Sequence, residues 1–397
     1  MKRVFTCFVL LAMLAFAGCE PPIDENLDDK GDKTEQPGGG DENPNGGNGT
    51  TDEGGENPEE GDKSDGGAEN KDPDDGGNDN GSGGWGDDHG SGGWGDEGSD
   101  EGELPDDSDN DGSKPKNNQL WYTSADGAII HPFSGPAIPD GCSFGVDVVS
   151  NSYEGDKWVI TFAGPIRKIA EYAFSGCTRL TSVTMPDSVT AIEMYSFNDC
   201  INLSEVNFPG IEVAVGDYAF GGCEALRKIN ISGKAYFGIG AFWGCENLVS
   251  INVPKWSDQV ISYAAFRYCS SLTSITLPDG LTSIGDAAFD WCTSLSSVTM
   301  GDKVQDIGRL AFAYCESLRE ITIPGRVDDI GEWAFRDCVN LQSIYCRPTT
   351  PPDVDGIEVF LNNGQGRKIY VPTESVDAYK NAPIWSYYAD AIEGYNF

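Results

Sequence analysis

The chain has 397 residues, among them 65 acidic and 26 basic side chains, and carries a formal net charge of −39. This charge argues against nucleic acid as a partner, because phosphate groups are bound by basic surfaces. The sequence holds only two histidines and no phosphate-binding loop, nucleophile elbow or zinc-protease motif, so we expect a non-enzymatic protein without catalytic residues, cofactor or metal.

The first residues predict an exported lipoprotein. Lys2 and Arg3 precede a short apolar run that ends at Gly18, directly before Cys19. A basic start, a short apolar core and small residues before the cut are typical of a secretory signal. Small residues directly before a cysteine resemble a bacterial lipobox, in which case residues 1–18 are the signal peptide and Cys19 carries the lipid. Ordinary secretion, with Cys19 as an unpaired thiol, is the alternative.

Residues 19–117 are predicted to be a disordered acidic tether. The segment is rich in Gly, Asp, Asn, Ser and Pro, and its few apolar side chains cannot bury enough surface to offset the chain entropy. Its negative charge favours an extended coil, which would hold the rest of the chain away from the membrane. Residues 107–112 match the first half of a calcium loop, but the twelfth position is Asn118 where a bidentate Glu is needed, so we interpret the match as chance.

Residues 118–165 are predicted to be an N-terminal cap. Two stretches, 120–123 and 128–131, flank an Asp-Gly pair, which is a hairpin signal. A third stretch, 158–162, alternates as a strand does. We expect this cap to cover the apolar end of the repeats that follow.

Residues 166–346 contain eight copies of one template, L-x-x-I-G-x-x-A-F-x-x-C-x-x-L-x-x-V, in which the Phe recurs every 22 to 24 residues. A fixed period of this length predicts a solenoid, whose stacked turns bury like side chains in columns. The end of each copy alternates between apolar and polar residues, which predicts a short strand with one buried face. The repeated phenylalanines are Phe174, Phe197, Phe220, Phe242, Phe266, Phe289, Phe312 and Phe335.

A cysteine follows each repeated phenylalanine by three residues. Because the chain is predicted to be exported, these cysteines could form disulfides, and neighbouring turns about 4.8 Å apart would be within reach. A column that is selected for packing favours the other interpretation, in which the thiols are small, buried and reduced. The members of this thiol column are Cys177, Cys200, Cys223, Cys245, Cys269, Cys292, Cys315 and Cys338.

Residues 347–397 are predicted to be a C-terminal cap. A strand is expected at 367–371, followed by a short helix that Thr373 can cap and that ends near Lys380. A final apolar cover is expected from Trp385, Tyr387, Tyr388 and Ile392.

The repeat template resembles that of the BspA-like leucine-rich-repeat surface proteins, also called Treponema pallidum-type repeats. The segments L-x-x-[IV]-x-[LIV]-P and I-G-x-x-A-F-x-x-C carry the resemblance, which covers residues 166–346. It implies a β-rich α/β fold, a right-handed leucine-rich-repeat solenoid that is capped at both ends. Short parallel strands would form one face, and short turns or 3-10 pieces the other. It also implies display on a bacterial surface, often as an adhesin.

Two sets of aromatic residues flank the repeated phenylalanine in neighbouring turns. One interpretation is half-buried packing against the phenylalanine. The other is an exposed aromatic stripe that stacks on sugar rings or anchors a protein partner. The candidates are Tyr172, Tyr195 and Tyr218, two residues before the phenylalanine, and Tyr268, Trp291 and Tyr314, two residues after it.

Together these features predict a surface-anchored recognition protein. We expect an adhesin-like scaffold that binds an extracellular protein or a glycan of a host and that contacts the bacterial outer membrane only through its N-terminal lipid. A carbohydrate-capture accessory of a surface polysaccharide-degradation system is the first alternative. A purely structural spacer is the second, although it leaves the aromatic residues unexplained.

Overall fold

The computed structural model describes residues 112–134, 143–210, 212–252, 255–256 and 259–397. The predicted signal peptide, the predicted lipid-bearing cysteine and nearly all of the predicted tether lie outside these residues. Among the residues that are described, no helix is long and apolar enough to cross a membrane.

The described residues N-terminal of residue 118 also pack against the repeats. The Lys114 ammonium forms an ion pair with Asp187 at 2.7 Å. Asn117 is buried, and its carbonyl accepts the N–H of Ile166 at 2.9 Å. The last few residues of the predicted tether therefore pack against the first turns of the repeats.

Three antiparallel strands cover the N-terminal end of the repeats. They are β1 (Gln119–Ser124), β2 (Val148–Glu154) and β3 (Lys157–Phe162), and they lie in the order β2-β3-β1. The free edge of β1 pairs with the strand of the first repeat, so that Tyr122 lies opposite Val183. This pairing joins the cap and the repeats in one sheet.

The strand predicted at 158–162 is confirmed as part of β3, but the hairpin predicted between 120–123 and 128–131 is wrong. Both edges of β1 are already paired, which leaves no edge for a returning strand. The Asp126 carboxylate instead accepts the backbone N–H of Ala128 at 3.0 Å and closes a local turn.

The repeats form a parallel β-solenoid, as predicted, and the described residues comprise about ten turns with few helices. Strands lie on both sides of each Ala-Phe turn. The predicted strands after the turn are confirmed, and a second row of mostly two-residue strands, which the template does not predict, precedes it. In chain order the strands are β4 (Lys168–Ile169), β5 (Leu180–Thr184), β6 (Ala191–Ile192), β7 (Glu205–Asn207), β8 (Val213–Val215), β9 (Lys228–Asn230), β10 (Lys234–Phe237), β11 (Ser250–Asn252), β12 (Lys255–Trp256), β13 (Val260–Ile261), β14 (Ser274–Thr276), β15 (Ser283–Ile284), β16 (Ser297–Thr299), β17 (Asp306–Ile307), β18 (Glu320–Ile323), β19 (Asp329–Ile330), β20 (Ser343–Cys346) and β21 (Asp353–Val354).

Neighbouring strands pair equivalent positions of successive repeats. Val183 of β5 lies opposite Val206 of β7, and Ile275 of β14 lies opposite Val298 of β16. Each residue thus pairs with its own counterpart one repeat later. Because side chains alternate along a strand, this register keeps every apolar side chain on the inner face.

A single stack of phenylalanine rings runs through the core. The eight repeated phenylalanines are at most 1% exposed, and neighbouring rings have centroids 5.1–5.6 Å apart. Phe360 continues the stack at 5.6 Å from Phe335, so the segment predicted as the C-terminal cap starts with a further turn. Burying a phenylalanine contributes about 2–3 kcal/mol to the stability of the fold, and each stacked ring pair adds about 1 kcal/mol. Each ring is buried only because the neighbouring turns cover it.

The C-terminal end is closed by two strands and short helices. β22 (Lys368–Pro372) confirms the strand predicted at 367–371, and β23 (Ile392–Tyr395) pairs with it in parallel. Between them, a 3-10 turn at Thr373–Ser375 leads into α1 (Val376–Asn381).

The predicted apolar cover includes one error. Trp385, Tyr388 and Ile392 are buried as expected, whereas Tyr387 is 70% exposed. These residues lie in or next to a 3-10 helix, Trp385–Ala391, and Tyr387 points away from the side on which Trp385 and Tyr388 pack.

Candidate functional site

The backbone of the Ala-Phe turn hydrogen-bonds alternately to its own turn and to the next one. The N–H groups of Phe289 and Trp291 donate to the carbonyls of Ala311 and Ala313 in the following turn at 2.8 and 2.9 Å. The intervening N–H of Asp290 donates within its own turn. This alternation pairs the donors of a tightly folded segment, as burial of the backbone requires.

The alternation requires a left-handed backbone at two positions of every turn. The residue two before the phenylalanine has φ between 51° and 61°, and the residue two after it has φ between 56° and 72°. Left-handed backbone costs about 1–2 kcal/mol for residues other than glycine. Glycine accordingly occupies four of these sites, namely Gly176, Gly222, Gly240 and Gly244. All six aromatic candidates occupy the same two left-handed positions.

The first three candidates form one stack, here called the N-terminal stack. The rings of Tyr172 and Tyr195 lie 5.0 Å apart, and those of Tyr195 and Tyr218 lie 5.4 Å apart with 4° between their planes. The stack ends over Gly240, where a Cβ would lie 2.5 Å from Cε1 of Tyr218. Burial raises the pKa of Tyr218 to about 12, so its hydroxyl stays protonated.

The other three candidates form the C-terminal stack. Trp291 and Tyr314 lie 4.3 Å apart and nearly parallel, whereas Tyr268 is tilted by 30° against Trp291 at 6.2 Å. Trp243 packs edge-on against Tyr268 at 5.7 Å. The structure thus brings together the three members of each predicted column.

Stacking decides which part of each ring faces the solvent. All six rings are half-buried, and they stack on one another along the solenoid. Their faces are therefore largely covered by neighbours, and the exposed part of each ring lies at its edge. The stacks offer hydrogen-bonding edges to a ligand, and open ring faces remain only at the ends of the stacks.

A buried ion pair lies beside the C-terminal stack. Nε of Arg267 donates to Oδ2 of Asp290 at 2.8 Å, and the guanidinium carbon is 4.9 Å from the ring centre of Tyr268. Burial raises the pKa of Asp290 from 3.8 to about 6, although Arg267 acts in the opposite direction. The other carboxylate oxygen, Oδ1, has no partner among the described residues.

A second aromatic cluster, around Trp333, was not among the predicted sites. Trp333 has φ of 61°, two residues before its phenylalanine, so the register of the sequence could have identified it. Its indole N–H donates to Glu358 at 2.6 Å, and the guanidinium groups of Arg309 and Arg336 lie 4.5 and 5.4 Å from its rings. Both arginines also contact acidic side chains. These mutual contacts favour a packing role for the cluster.

The thiol column makes a repeated hydrogen bond. From Cys200 onward, each thiol of the column donates to the carbonyl of the phenylalanine in the preceding turn, at 3.1–3.4 Å. All nine described cysteines, including Cys346, are unpaired. Burial raises the pKa of every one of them, for example that of Cys338 to about 12, which disfavours the reactive thiolate.

The exposed face of the strands that follow the turns also forms ladders. Asn252 donates to Asn230 at 2.8 Å, and Asn207 donates to Thr184 at 3.1 Å, so much of this polar face is engaged with itself. No group of three or more potential metal ligands occurs in the described part of the chain.

Comparisons with known proteins give a family and several solved structures. The family profile of the BspA type leucine rich repeat region matches residues 153–270 and 259–376, which together span more than half of the chain. A leucine rich cell surface protein from Faecalibacterium prausnitzii is 30% identical over 49% of this chain and 45% of its own, with a TM-score of 0.33. The matched part is thus less than half of that protein. No curated protein matches the chain significantly.

Two further solved structures are similar. The T. pallidum leucine rich repeat protein is 28% identical over 45% of this chain and 73% of its own, with a TM-score of 0.32. A leucine-rich repeat protein from Eubacterium ventriosum is 25% identical over 40% of this chain and 42% of its own, with a TM-score of 0.35.

Proposed function

The chain belongs to the BspA-type leucine-rich repeat family, and on this basis we propose that it is a surface-anchored, non-enzymatic recognition protein. It acts as an adhesin-like scaffold that binds an extracellular protein or a glycan through its aromatic stacks. The observation that carries this proposal is the placement of six large aromatic side chains at strained, half-exposed positions of the turn.

Backbone strain offsets part of what packing contributes at these positions. A non-glycine residue in left-handed backbone costs about 1–2 kcal/mol, while one stacked ring pair contributes about 0.5–1.5 kcal/mol in addition to the burial of half of each ring. The turn also forms without an aromatic ring at the equivalent sites, several of which hold glycine, and three of which hold Ala264, Ala287 and Leu310. The turn itself therefore does not require an aromatic residue, which supports a role for the outward ring edges in recognition.

The anchoring part of the proposal rests on the sequence. The basic start, the apolar run and Cys19 support a lipidated N-terminus in the outer membrane. The acidic segment that follows supports a solvated stalk, which would present the solenoid to the surroundings of the cell. Radiolabelled palmitate incorporation, compared between the wild type and Cys19→Ala in the native host, tests this arrangement.

A glycan array and a panel of extracellular-matrix proteins, both probed with the full-length chain, test the recognition role. We expect at least one protein or glycan to bind. Tyr195→Gly and Trp291→Gly should weaken that binding about tenfold or more at whichever stack is used, as removal of a central aromatic anchor does. Glycan binding alone would favour the carbohydrate-capture alternative. Absence of any binding partner in both panels would favour the structural spacer and contradict the proposal.

A further inference from the structure

Arg267 lies where the N-terminal stack ends and the C-terminal stack begins. The N-terminal stack ends with Tyr218 over Gly240, and the C-terminal stack begins with Tyr268, against which Arg267 packs at 4.9 Å. The Tyr218 ring covers Gly240, whose N–H donates to the carbonyl of Tyr263 at 2.9 Å, in the turn that carries Arg267. We call this place, formed by Tyr218, Tyr263, Arg267 and Tyr268, the junction.

Arg267 is held by one hydrogen bond from Nε, and the rest of its guanidinium group is free to bind a ligand. Its Nε is bound to Asp290, whose side chain is 2% exposed, while 28% of the Arg267 side chain remains exposed. Within the described residues, neither terminal nitrogen of the guanidinium has a hydrogen-bond partner. Two parallel N–H donors in a fixed plane match a carboxylate, which accepts both at once.

The surroundings of the arginine favour a sugar. Tyr263 is 38% exposed, and the hydroxyl groups of Tyr218 and Tyr263 have no hydrogen-bond partner among the described residues. They therefore remain available for the hydroxyl groups of a sugar ring beside its carboxylate. The net charge of −39 repels long polyanions such as acidic peptides, and a single carboxylate on a mostly neutral glycan meets much less of this repulsion.

We propose that the junction is a binding site for an acidic sugar, in which the free edge of the Arg267 guanidinium takes the carboxylate and the tyrosine hydroxyls take the neighbouring ring hydroxyls. This inference rests on the proposed recognition function and adds the chemical class of the ligand. Asp290 acts as a positioning residue, because it fixes the plane of the guanidinium without reaching the ligand itself.

The test uses the full-length chain and two matched probes, methyl β-glucuronide and its methyl ester, titrated by ligand-observed NMR. The two probes share the sugar ring and differ only in the charge of the carboxyl group. Charge-assisted hydrogen bonds to a carboxylate strengthen binding about tenfold or more relative to neutral ones. We therefore expect the charged sugar to bind at least about tenfold more tightly than its ester.

Two variants assign the effect to the arginine. Arg267→Gln combined with Asp290→Asn removes both charges together, which avoids leaving a buried carboxylate unpaired, and should abolish the preference for the charged sugar. Arg267→Lys keeps the charge but loses the planar fork, and should retain a reduced preference. Arg336→Gln is the matched control, because Arg336 has the same place in its own turn but is paired with Asp337 and Glu358. It should leave the preference unchanged.

The outcomes separate this inference from the proposed function. Equal binding of both probes, or a preference that survives in the double variant, would overturn the acidic-sugar site while leaving a recognition role intact. Binding of a glutamate-containing peptide through Arg267, without binding of the glucuronide, would overturn the sugar assignment. Failure of the folded chain to bind any glycan or protein in either assay would remove the proposed function as well.

Discussion

The left-handed position of Trp291 leads to an unusual ranking of two substitutions. Trp291 has φ of 61° and stacks on Tyr314 at 4.3 Å. Trp291→Ala removes the ring and should destabilise the fold by about 2 kcal/mol, since the side chain is half-buried. Trp291→Gly removes the same ring and also relieves about 1–2 kcal/mol of backbone strain. Glycine makes the unfolded chain more flexible, which offsets about 0.4–1 kcal/mol of this gain in stability.

We therefore expect Trp291→Gly to be more stable than Trp291→Ala by about 0.5–1 kcal/mol. In ordinary strand or helix positions the order is reversed, with glycine less stable than alanine by about 0.5–1 kcal/mol. Ser297 in β16 has no left-handed backbone and provides the control pair, Ser297→Ala and Ser297→Gly.

Urea unfolding of the wild type and the four variants, monitored by far-UV circular dichroism, measures this ranking of stabilities. This signal comes from the backbone and does not depend on Trp291. Repeat proteins can unfold in steps, so the urea midpoints of two chains are compared only where their unfolding free energies fall with urea at the same slope. Alanine more stable than glycine at both positions would refute the left-handed turn, and with it the strain on which the recognition argument depends.

Four further predictions concern core packing, thiol reactivity, the ion pair and the domain boundary. Cys292→Ala should cost about 1–2 kcal/mol of unfolding free energy through the lost bond to the Phe266 carbonyl and a small void. Cys177→Ala should cost less, because this thiol is half-buried and its hydrogen-bond partner is the Ser134 side chain near the surface; equal losses by urea unfolding would contradict this. Thiol reagents should label Cys177 first and the other described cysteines only on unfolding. Because burial raises the folded-state pKa of Asp290 from 3.8 to about 6, its contribution to stability is greatest below about pH 4 and declines as the pH rises to about 6. Asp290→Asn should remove this decline, and an unchanged difference between unfolding free energies at pH 4 and 7 would disprove it. Limited proteolysis should leave a resistant fragment that begins at or before Lys114, and a stable fragment that begins after Asn117 would show that the packing of this segment is dispensable.

The candidate residues could be read from the sequence, but their environment could not. Register alone placed Tyr172, Tyr195 and Tyr218 in one column and Tyr268, Trp291 and Tyr314 in another. The occurrence of Gly, Asp and aromatic residues at one register position was a signal of left-handed backbone, because Gly and Asp favour it. Bulky residues in the same places obscured that signal, since their presence depends on stacking between turns.

The sequence by itself determined the solenoid, because a 23-residue period with apolar residues at fixed places can bury them only by stacking identical turns. It also determined the strand after each turn, where the alternation of side chains is a local property. The hairpin predicted in the N-terminal cap failed for a different reason. Residues 128–131 have the local signal of a strand, but β3 and β5 take both edges of β1.

The tertiary structure alone decided what the aromatic residues present to solvent. A column in the sequence fixes only the distance between neighbours, and the orientation of each ring follows from the left-handed backbone and from the rings above and below it. It likewise decided that Arg267 meets Asp290 in the next turn and Tyr268 beside it. These contacts join residues of different turns with dissimilar side chains, and no periodic pattern records them, because each depends on the particular neighbour that the stacking supplies.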